Sequence, residues 1–153
     1  MREFTARGGW WVAVQFGLLG AIAAAWWVWS ADWGPLAVAA GWAAAGAGVV
    51  LGGWGLVALG GNLTPYPSPR SDARLVERGP YRLVRHPIYG GIVMGTGGIS
   101  LADGNAAGLT LALGLIVLFL GKSEFEEERL LSRFPAYGEY RERVPRRLVP
   151  WIL

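Results

Sequence analysis

Residues 9–59 read GWWVAVQFGLLGAIAAAWWVWSADWGPLAVAAGWAAAGAGVVLGGWGLVAL, and this stretch decides the class of fold. Asp32 is the only Asp, Glu, Lys or Arg between Gly8 and Pro69. Asp103 is the only one between His86 and Gly121. A helix of a soluble protein needs a polar face, which these stretches lack, whereas about 20 apolar residues suffice to cross a bilayer. The sequence therefore predicts an all-α, polytopic integral membrane bundle.

Short polar turns divide the apolar sequence into about four predicted transmembrane helices. We place them near residues 9–29, 36–59, 87–101 and 106–121, followed by a charged, cytoplasmic C-terminal amphipathic helix over 122–133. Pro65, Pro67 and Pro69 exclude a regular helix from the connector between the second and third spans. We expect one domain with two N-terminal spans (1–61), a cytoplasmic connector (62–87), a helical hairpin (88–121), and a cytoplasmic helix and tail (122–153).

The basic residues all lie on one side of these predicted spans. The 14 Lys and Arg residues fall in the N-terminus, the connector or the C-terminal segment, and the turns at Asp32 and Asp103 contain none. The positive-inside rule then predicts that both termini and the connector are cytoplasmic. The tryptophans near both ends of span one are typical of an interfacial belt. The high Ala, Gly, Trp and Arg content suits a bacterial inner membrane.

The composition also excludes several kinds of site. The chain contains no cysteine, which rules out disulfides, thiolate metal ligands and a cysteine nucleophile. One histidine and a few exposed carboxylates do not make a metal site, so we expect no metal. We expect membrane lipid as a partner, but no nucleic acid and no obligate protein partner.

The connector ends in RGPYRLVRHPIYGG, residues 78–91, which includes the only histidine of the chain. Pro87 suits the first turn of span three because it lacks an N–H group that would be unpaired there. His86 then lies at or beside the N-cap, where free N–H groups favour a carboxylate or phosphate. An isolated His-Pro pair more often only caps a helix, so this segment alone does not identify a site.

A second polar constellation follows span four and contains Glu124, Glu126, Glu127 and Glu128. It could be an ordinary solvated helix face. Three consecutive glutamates, however, repel one another and lie beside an anionic leaflet. We therefore expect one or two of them to be neutralised by arginines or by a cationic ligand. The nearby arginines, which could also bind lipid head groups, are Arg141, Arg143, Arg146 and Arg147.

Together, the two constellations resemble the isoprenylcysteine carboxyl methyltransferase and phospholipid methyltransferase superfamily. The first matching motif is Gly79-Pro80-Tyr81-Arg82-x-x-Arg85-His86-Pro87-x-Tyr89-x-Gly91. The second is Glu126-Glu127-x-x-Leu130-x-x-x-Phe134-x-x-Tyr137-x-x-Tyr140-x-x-x-Val144-Pro145-Arg146. The resemblance covers roughly residues 75–150. Pro135 departs from it, because the family usually has glycine after the phenylalanine.

The resemblance implies an integral membrane enzyme that uses S-adenosyl-L-methionine and releases S-adenosyl-L-homocysteine. It implies that His86 and Tyr89 hold the methionine end of this cofactor. Glu126 and Glu127 would then lie near the amino or ribose groups. The residues that would shape the pocket are Tyr81, Arg85 and Gly91.

The resemblance also implies a group for the acceptor step, consisting of Arg85, Arg143 and a glutamate of the pair, for which we take Glu127. The acceptor would be a lipophilic or small molecule with a prenylcysteine-type carboxylate, a lipid amine or a thiol. An arginine can bind a carboxylate through two hydrogen bonds, whereas an amine or thiol needs a base to take its proton. Glu127 or His86 could be that base.

Two other functions are compatible with the same scaffold. One is an NADPH-dependent membrane sterol or isoprenoid reductase, but the phosphates of NADPH would need arginines where this chain has Glu126 and Glu127. The other is a membrane adaptor without catalytic activity. The presence of His86, Tyr89 and both glutamates favours a methyltransferase over either alternative.

Overall fold

The computed structural model describes residues 8–64, 66, 74–150 and 152. Within these residues the protein is helical, and no strand is present. The α-helices are α1 (Gly9–Val28), α2 (Pro35–Leu59), α3 (Pro87–Ala102), α4 (Ala106–Arg133) and α5 (Tyr137–Arg143). Short 3₁₀ turns occupy Gly60–Asn62 and Gly79–Arg82. This confirms the predicted all-α bundle.

Three of these helices are long and apolar enough to cross a membrane, namely α1, α2 and α4. Helix α3 has 16 residues and is therefore about 24 Å long at 1.5 Å per residue, a little less than a bilayer core. It lies where the third span was predicted, and its membrane crossing stays a prediction. The polar segment 122–133 is helical as expected, but it continues α4 without a break.

Helices α2 and α3 pack antiparallel through glycines. A Cβ atom on Gly48 would lie 2.6 Å from the Gly95 nitrogen, and one on Gly91 would lie 2.6 Å from the Gly52 Cα. Neither position has room for a side chain, so the two backbones lie in direct contact. Such close approach through small residues is how helices associate in a bilayer, where water does not drive them together.

The two short turns meet at one end of the bundle. The Ala31 amide donates to the Asp103 carbonyl over 3.1 Å. Asn105, which is fully buried, caps α4 by accepting from the Gly108 amide at 2.7 Å and donates to the Ala25 carbonyl at 2.8 Å. These bonds fix the α1–α2 turn against the α3–α4 turn. The location of both turns on one membrane face stays a prediction.

The C-terminal tail covers the start of α3 at the other end of the bundle. The amides of Arg85 and His86 donate to the carbonyls of Arg146 and Arg147, at 3.0 and 2.8 Å. A Cβ atom on Gly90 would overlap the carbonyl oxygen of Leu148. The tail and the 78–91 segment are therefore one unit, although about 60 residues separate them in the chain.

Some expectations fall on residues outside the described ranges. They concern Arg2 and Arg7 of the N-terminus and the connector prolines at 65, 67 and 69.

Candidate functional site

A cavity of about 330 Å³ lies where the connector meets the five α-helices. Its polar lining comes from several elements and includes Gln15, Arg85, His86, Tyr89, Lys122 and Glu126. Its apolar lining comes from α1 to α4 and from the residue that follows α4. It includes Val12, Phe16, Leu59, Ile88, Ile92, Leu130 and Phe134. A pocket that joins a few convergent polar groups to apolar walls is the usual form of a small-molecule site.

Arg85 and Glu127 form a buried ion pair beside this cavity. The Arg85 Nε donates to Glu127 Oε1 at 2.8 Å, and its Nη1 donates to the Val144 carbonyl at 2.7 Å. The side chains of Arg85 and Glu127 are only 4% and 3% exposed. Burying either charge alone would be costly, so each requires the other. The pair holds the connector, α4 and the tail in one geometry.

His86 and Tyr89 face the two glutamates from the start of α3. His86 Nε2 lies 3.0 Å from Glu127 Oε1, and its Nδ1 lies 3.8 Å from Glu126 Oε2. The Tyr89 hydroxyl donates to Glu126 Oε2 at 2.9 Å. The rings of His86 and Tyr89 stack with centroids 5.4 Å apart. Both carboxylates are thus bound by side chains of residues 78–91, which we call the RHP segment after Arg85, His86 and Pro87.

Two tyrosines join the 3₁₀ turn to α5. The Tyr140 hydroxyl donates to the Tyr81 carbonyl at 2.7 Å, and both residues are buried. Burial raises the pKa of the Tyr81 hydroxyl above its ordinary value, and the nearby charge of Glu126 raises it further. Burial likewise raises the pKa of Tyr140. Both hydroxyls therefore remain protonated donors at neutral pH.

The structure brings most of the predicted site residues together. Tyr81, Arg85, His86, Tyr89 and Glu126 line the cavity. Glu127 lies directly behind them, since it contacts Arg85 and His86.

Two predicted residues lie elsewhere. Arg143 is on α5, more than half exposed, and pairs with Glu77 at the surface. Gly91 packs against Gly52 of α2. Their proposed roles in the acceptor step and in shaping the pocket stay predictions, and neither residue is part of the cavity lining.

The sequence reasoning missed two features of the cavity. Lys122 and Gln15 line it together, although they are 107 positions apart. Gln15 carries the only amide or charged side chain of α1, which was a signal available in the sequence. Tyr137 also lines the cavity, and its hydroxyl is buried without a hydrogen-bond partner among the described residues.

The chain also matches known proteins. The sequence model of the phospholipid methyltransferase family matches residues 36–139. This range includes the whole first motif and the second motif as far as the start of α5. This chain belongs to the phospholipid methyltransferase family. The match covers more than half of the chain, and it confirms the superfamily that the two motifs indicated.

Two curated relatives are similar to part of this family member. The cobalt-zinc-cadmium resistance protein CzcN of Cupriavidus metallidurans is 35% identical over 81 residues. The nickel-cobalt-cadmium resistance protein NccN of Alcaligenes xylosoxydans xylosoxydans is 40% identical over 85 residues. Each match covers 52% of this chain and 38% of the relative. The chain therefore spans well under half the length of either protein.

Proposed function

We propose that this protein is an integral membrane methyltransferase that uses S-adenosyl-L-methionine. The acceptor is a lipophilic or small molecule that carries a carboxylate, an amine or a thiol. The observation that carries the proposal is the convergence of His86, Tyr89 and two glutamates at one cavity beside apolar helices. Membership of the phospholipid methyltransferase family supports it.

The chemistry of these residues fits the cofactor, which carries a sulfonium, an ammonium and a carboxylate. Glu126 is half-buried at the cavity and complements positive charge. Glu127 Oε2 and the Tyr137 hydroxyl, both buried, have no hydrogen-bond partner among the described residues, as expected of groups that complete their bonding to a ligand. When bound, the cofactor supplies an electrophilic methyl group. The residues that would hold it are Tyr81, His86, Tyr89, Glu126 and Glu127.

The protein's own contribution is mostly positioning. Glu127 holds the Arg85 guanidinium from one side and the Val144 carbonyl holds it from the other, so Arg85 cannot change rotamer freely. Orientation of two reactants in a site can supply a large part of a barrier reduction. The Tyr89 ring stacks on His86 at one face and on Phe119 at the other, so its orientation in the site is fixed.

Proton removal from an amine or thiol acceptor would fall to His86. Its Nε2 lies against the Glu127 carboxylate, which favours the tautomer with hydrogen on that nitrogen. In that tautomer of the neutral ring, Nδ1 is the nitrogen that can take a proton. A carboxylate acceptor needs no base.

Equilibrium binding of radiolabelled S-adenosyl-L-methionine to the detergent-purified protein tests this function. We expect saturable binding that weakens at least about tenfold in Glu126→Gln, because one charge-assisted contact is worth roughly 1.5–3 kcal/mol. Glu128→Gln is the matched control, since Glu128 is exposed on the same helix and outside the cavity lining. Binding of NADPH in place of the sulfonium compound would reject the proposal in favour of a reductase.

We further propose that the protein lies in a bacterial inner membrane with both termini in the cytoplasm and without an obligate protein partner. The one-sided distribution of Lys and Arg supports this orientation, and so does the meeting of the two turns that contain no Lys or Arg. A reporter fused after Leu153 should be active only in the cytoplasm, and one inserted beside Asp103 only outside it. The opposite pattern would reject the orientation.

A further inference from the structure

Lys122 is the only lysine of the chain, and it is almost completely buried at 2% exposure. Its ammonium donates to Gln15 Oε1 at 2.6 Å and lies 4.9 Å from the centroid of the Tyr89 ring. Among the described residues, none of the ion pairs includes it. A buried ammonium in a membrane helix is expensive and is usually kept because it binds something.

The bonds that surround Lys122 leave it incompletely satisfied. An ammonium has three N–H donors, and the Gln15 amide oxygen takes one of them. The face of the Tyr89 ring adds a cation–π contact but no anion. Arg85, in contrast, has its charge balanced by Glu127 within 2.8 Å. The negative charge of Glu126, one turn further along α4, acts on Lys122, but that carboxylate accepts from the Tyr89 hydroxyl. Among the described residues, Lys122 is therefore a buried cation of this cavity that forms no ion pair of its own.

The position of Lys122 indicates which molecule supplies a counter-ion. Lys122 lies one helical turn before Glu126, toward the apolar part of α4, and Gln15 lies about two turns after the start of α1. The cavity wall near Gln15 includes Val12 and Phe16 of α1, which are apolar. An anionic group at Lys122 would thus have its hydrocarbon part among membrane helices, while the polar residues of the RHP segment lie beyond Tyr89.

We propose that Lys122 and Gln15 form a subsite for the anionic group of an amphiphilic ligand, a carboxylate or a phosphate attached to a hydrocarbon chain. This inference rests on the proposed function, since the ligand would be the methyl acceptor or carry it. Such a subsite would restrict the methyl acceptor to lipophilic molecules that carry a negative charge. The resemblance to the methyltransferase superfamily would place the methionine end of the cofactor, with its carboxylate, at His86 and Tyr89 instead.

Titration of the purified protein in a neutral detergent with dodecyl phosphate, dodecanoate and dodecanol tests the subsite. We expect the wild type to bind at least one anionic amphiphile about tenfold more tightly than the alcohol, since a hydrogen bond to a charged group is worth roughly 1.5–3 kcal/mol. The phosphate and carboxylate probes distinguish the two kinds of head group. Equal affinity for all three probes would overturn the proposal.

Lys122→Gln should abolish the preference for the anion, and any change in the affinity for S-adenosyl-L-methionine should be smaller than the change in the affinity for the anion. Arg141→Gln is the matched control, because it also removes one positive charge, is exposed and lies outside the cavity lining. That variant should keep the preference. A tenfold loss of S-adenosyl-L-methionine binding in Lys122→Gln, with the anion preference retained, would assign Lys122 to the cofactor and refute the subsite.

A measurement on the wild type avoids any variant that fails to fold. Because the chain has a single lysine, acetylation of that residue can be followed by mass spectrometry of the peptide that contains it. We expect the anionic amphiphile to slow acetylation of Lys122 at least about fivefold, and dodecanol to have no effect. Protection by S-adenosyl-L-methionine alone would contradict the subsite. If S-adenosyl-L-methionine does not bind at all, the proposed function fails, while protection by the anion still supports the subsite.

Discussion

Substitution of Gly90 by alanine should detach the C-terminal tail from the start of α3. The Gly90 backbone lies directly beneath the Leu148 carbonyl, and an added Cβ would overlap that oxygen. Neither atom belongs to a flexible side chain, so the tail has to move. The movement breaks the hydrogen bonds from the amides of Arg85 and His86 to the tail carbonyls.

The size of the effect follows from these contacts. Two backbone hydrogen bonds are worth about 0.5–1 kcal/mol each, so the tail opens more easily by roughly 1–2 kcal/mol. Alanine also stabilises the helix by about 0.5–1 kcal/mol relative to glycine. This gain partly offsets the loss in the free energy of unfolding of the whole protein, but it does not change the free energy of tail opening. A change of 1–2 kcal/mol corresponds to a 5–30-fold larger open population.

Limited trypsin digestion in detergent measures that population directly. Cleavage after Arg146 or Arg147 requires their carbonyls to leave the amides that they contact. When opening is fast relative to cleavage, the rate follows the open population, so Gly90→Ala should be cleaved about 5–30 times faster. Mass spectrometry of the shortened chain identifies the cut.

Gly95→Ala is the matched control for this experiment. Gly95 lies on the same helix, and a Cβ added there would meet no atom within 4 Å. We expect the tail of this variant to be cleaved at the wild-type rate and the protein to be slightly more stable, by about 0.5–1 kcal/mol. Equal cleavage rates in Gly90→Ala, Gly95→Ala and wild type would show that the tail does not rest on Gly90.

Two further substitutions test the contacts around the site. Glu127→Gln should lower the free energy of unfolding by about 3–5 kcal/mol, because it leaves the buried charge of Arg85 without a partner. Thermal unfolding in detergent measures this, and a loss below 1 kcal/mol would contradict a buried pair. Tyr140→Phe should cost about 1 kcal/mol at neutral pH by removing the bond to the Tyr81 carbonyl. Since the folded pKa of Tyr140 is raised, its contribution is complete below the unfolded value of about 10 and decreases as the pH rises above it. The difference between wild type and Tyr140→Phe should therefore shrink in alkaline buffer, and a constant difference would refute the assignment.

Much of the site could be predicted because the informative residues are close together in sequence. His86 and Tyr89 are three positions apart at a helix start, and Glu126 and Glu127 are adjacent. Those local patterns, with the family resemblance, were sufficient to place both groups at one site. The assignment of Arg143 depended on its position in a motif, and motif position does not report the direction of a side chain. The structure pairs this arginine with Glu77 at the surface.

Residues that depend on long-range packing could not be placed in this way. Lys122 looked like the first residue of a charged helix face, yet α4 continues through it and its side chain turns inward to Gln15. Gly91 belongs to the motif, but in the structure it lies against the backbone of Gly52 in α2 and does not line the cavity. In both cases a partner from another helix decides the environment, and no local pattern encodes that partner.

The sequence by itself determined that the chain is a helical membrane protein of the phospholipid methyltransferase family, because long uncharged segments and short motifs are local properties. Only the tertiary structure decided which charges are neutralised. It pairs Arg85 with Glu127 and leaves Lys122 facing the cavity with an amide for a neighbour. The physical reason is that a buried charge is governed by atoms within a few ångströms of it, and those atoms come from distant parts of the chain.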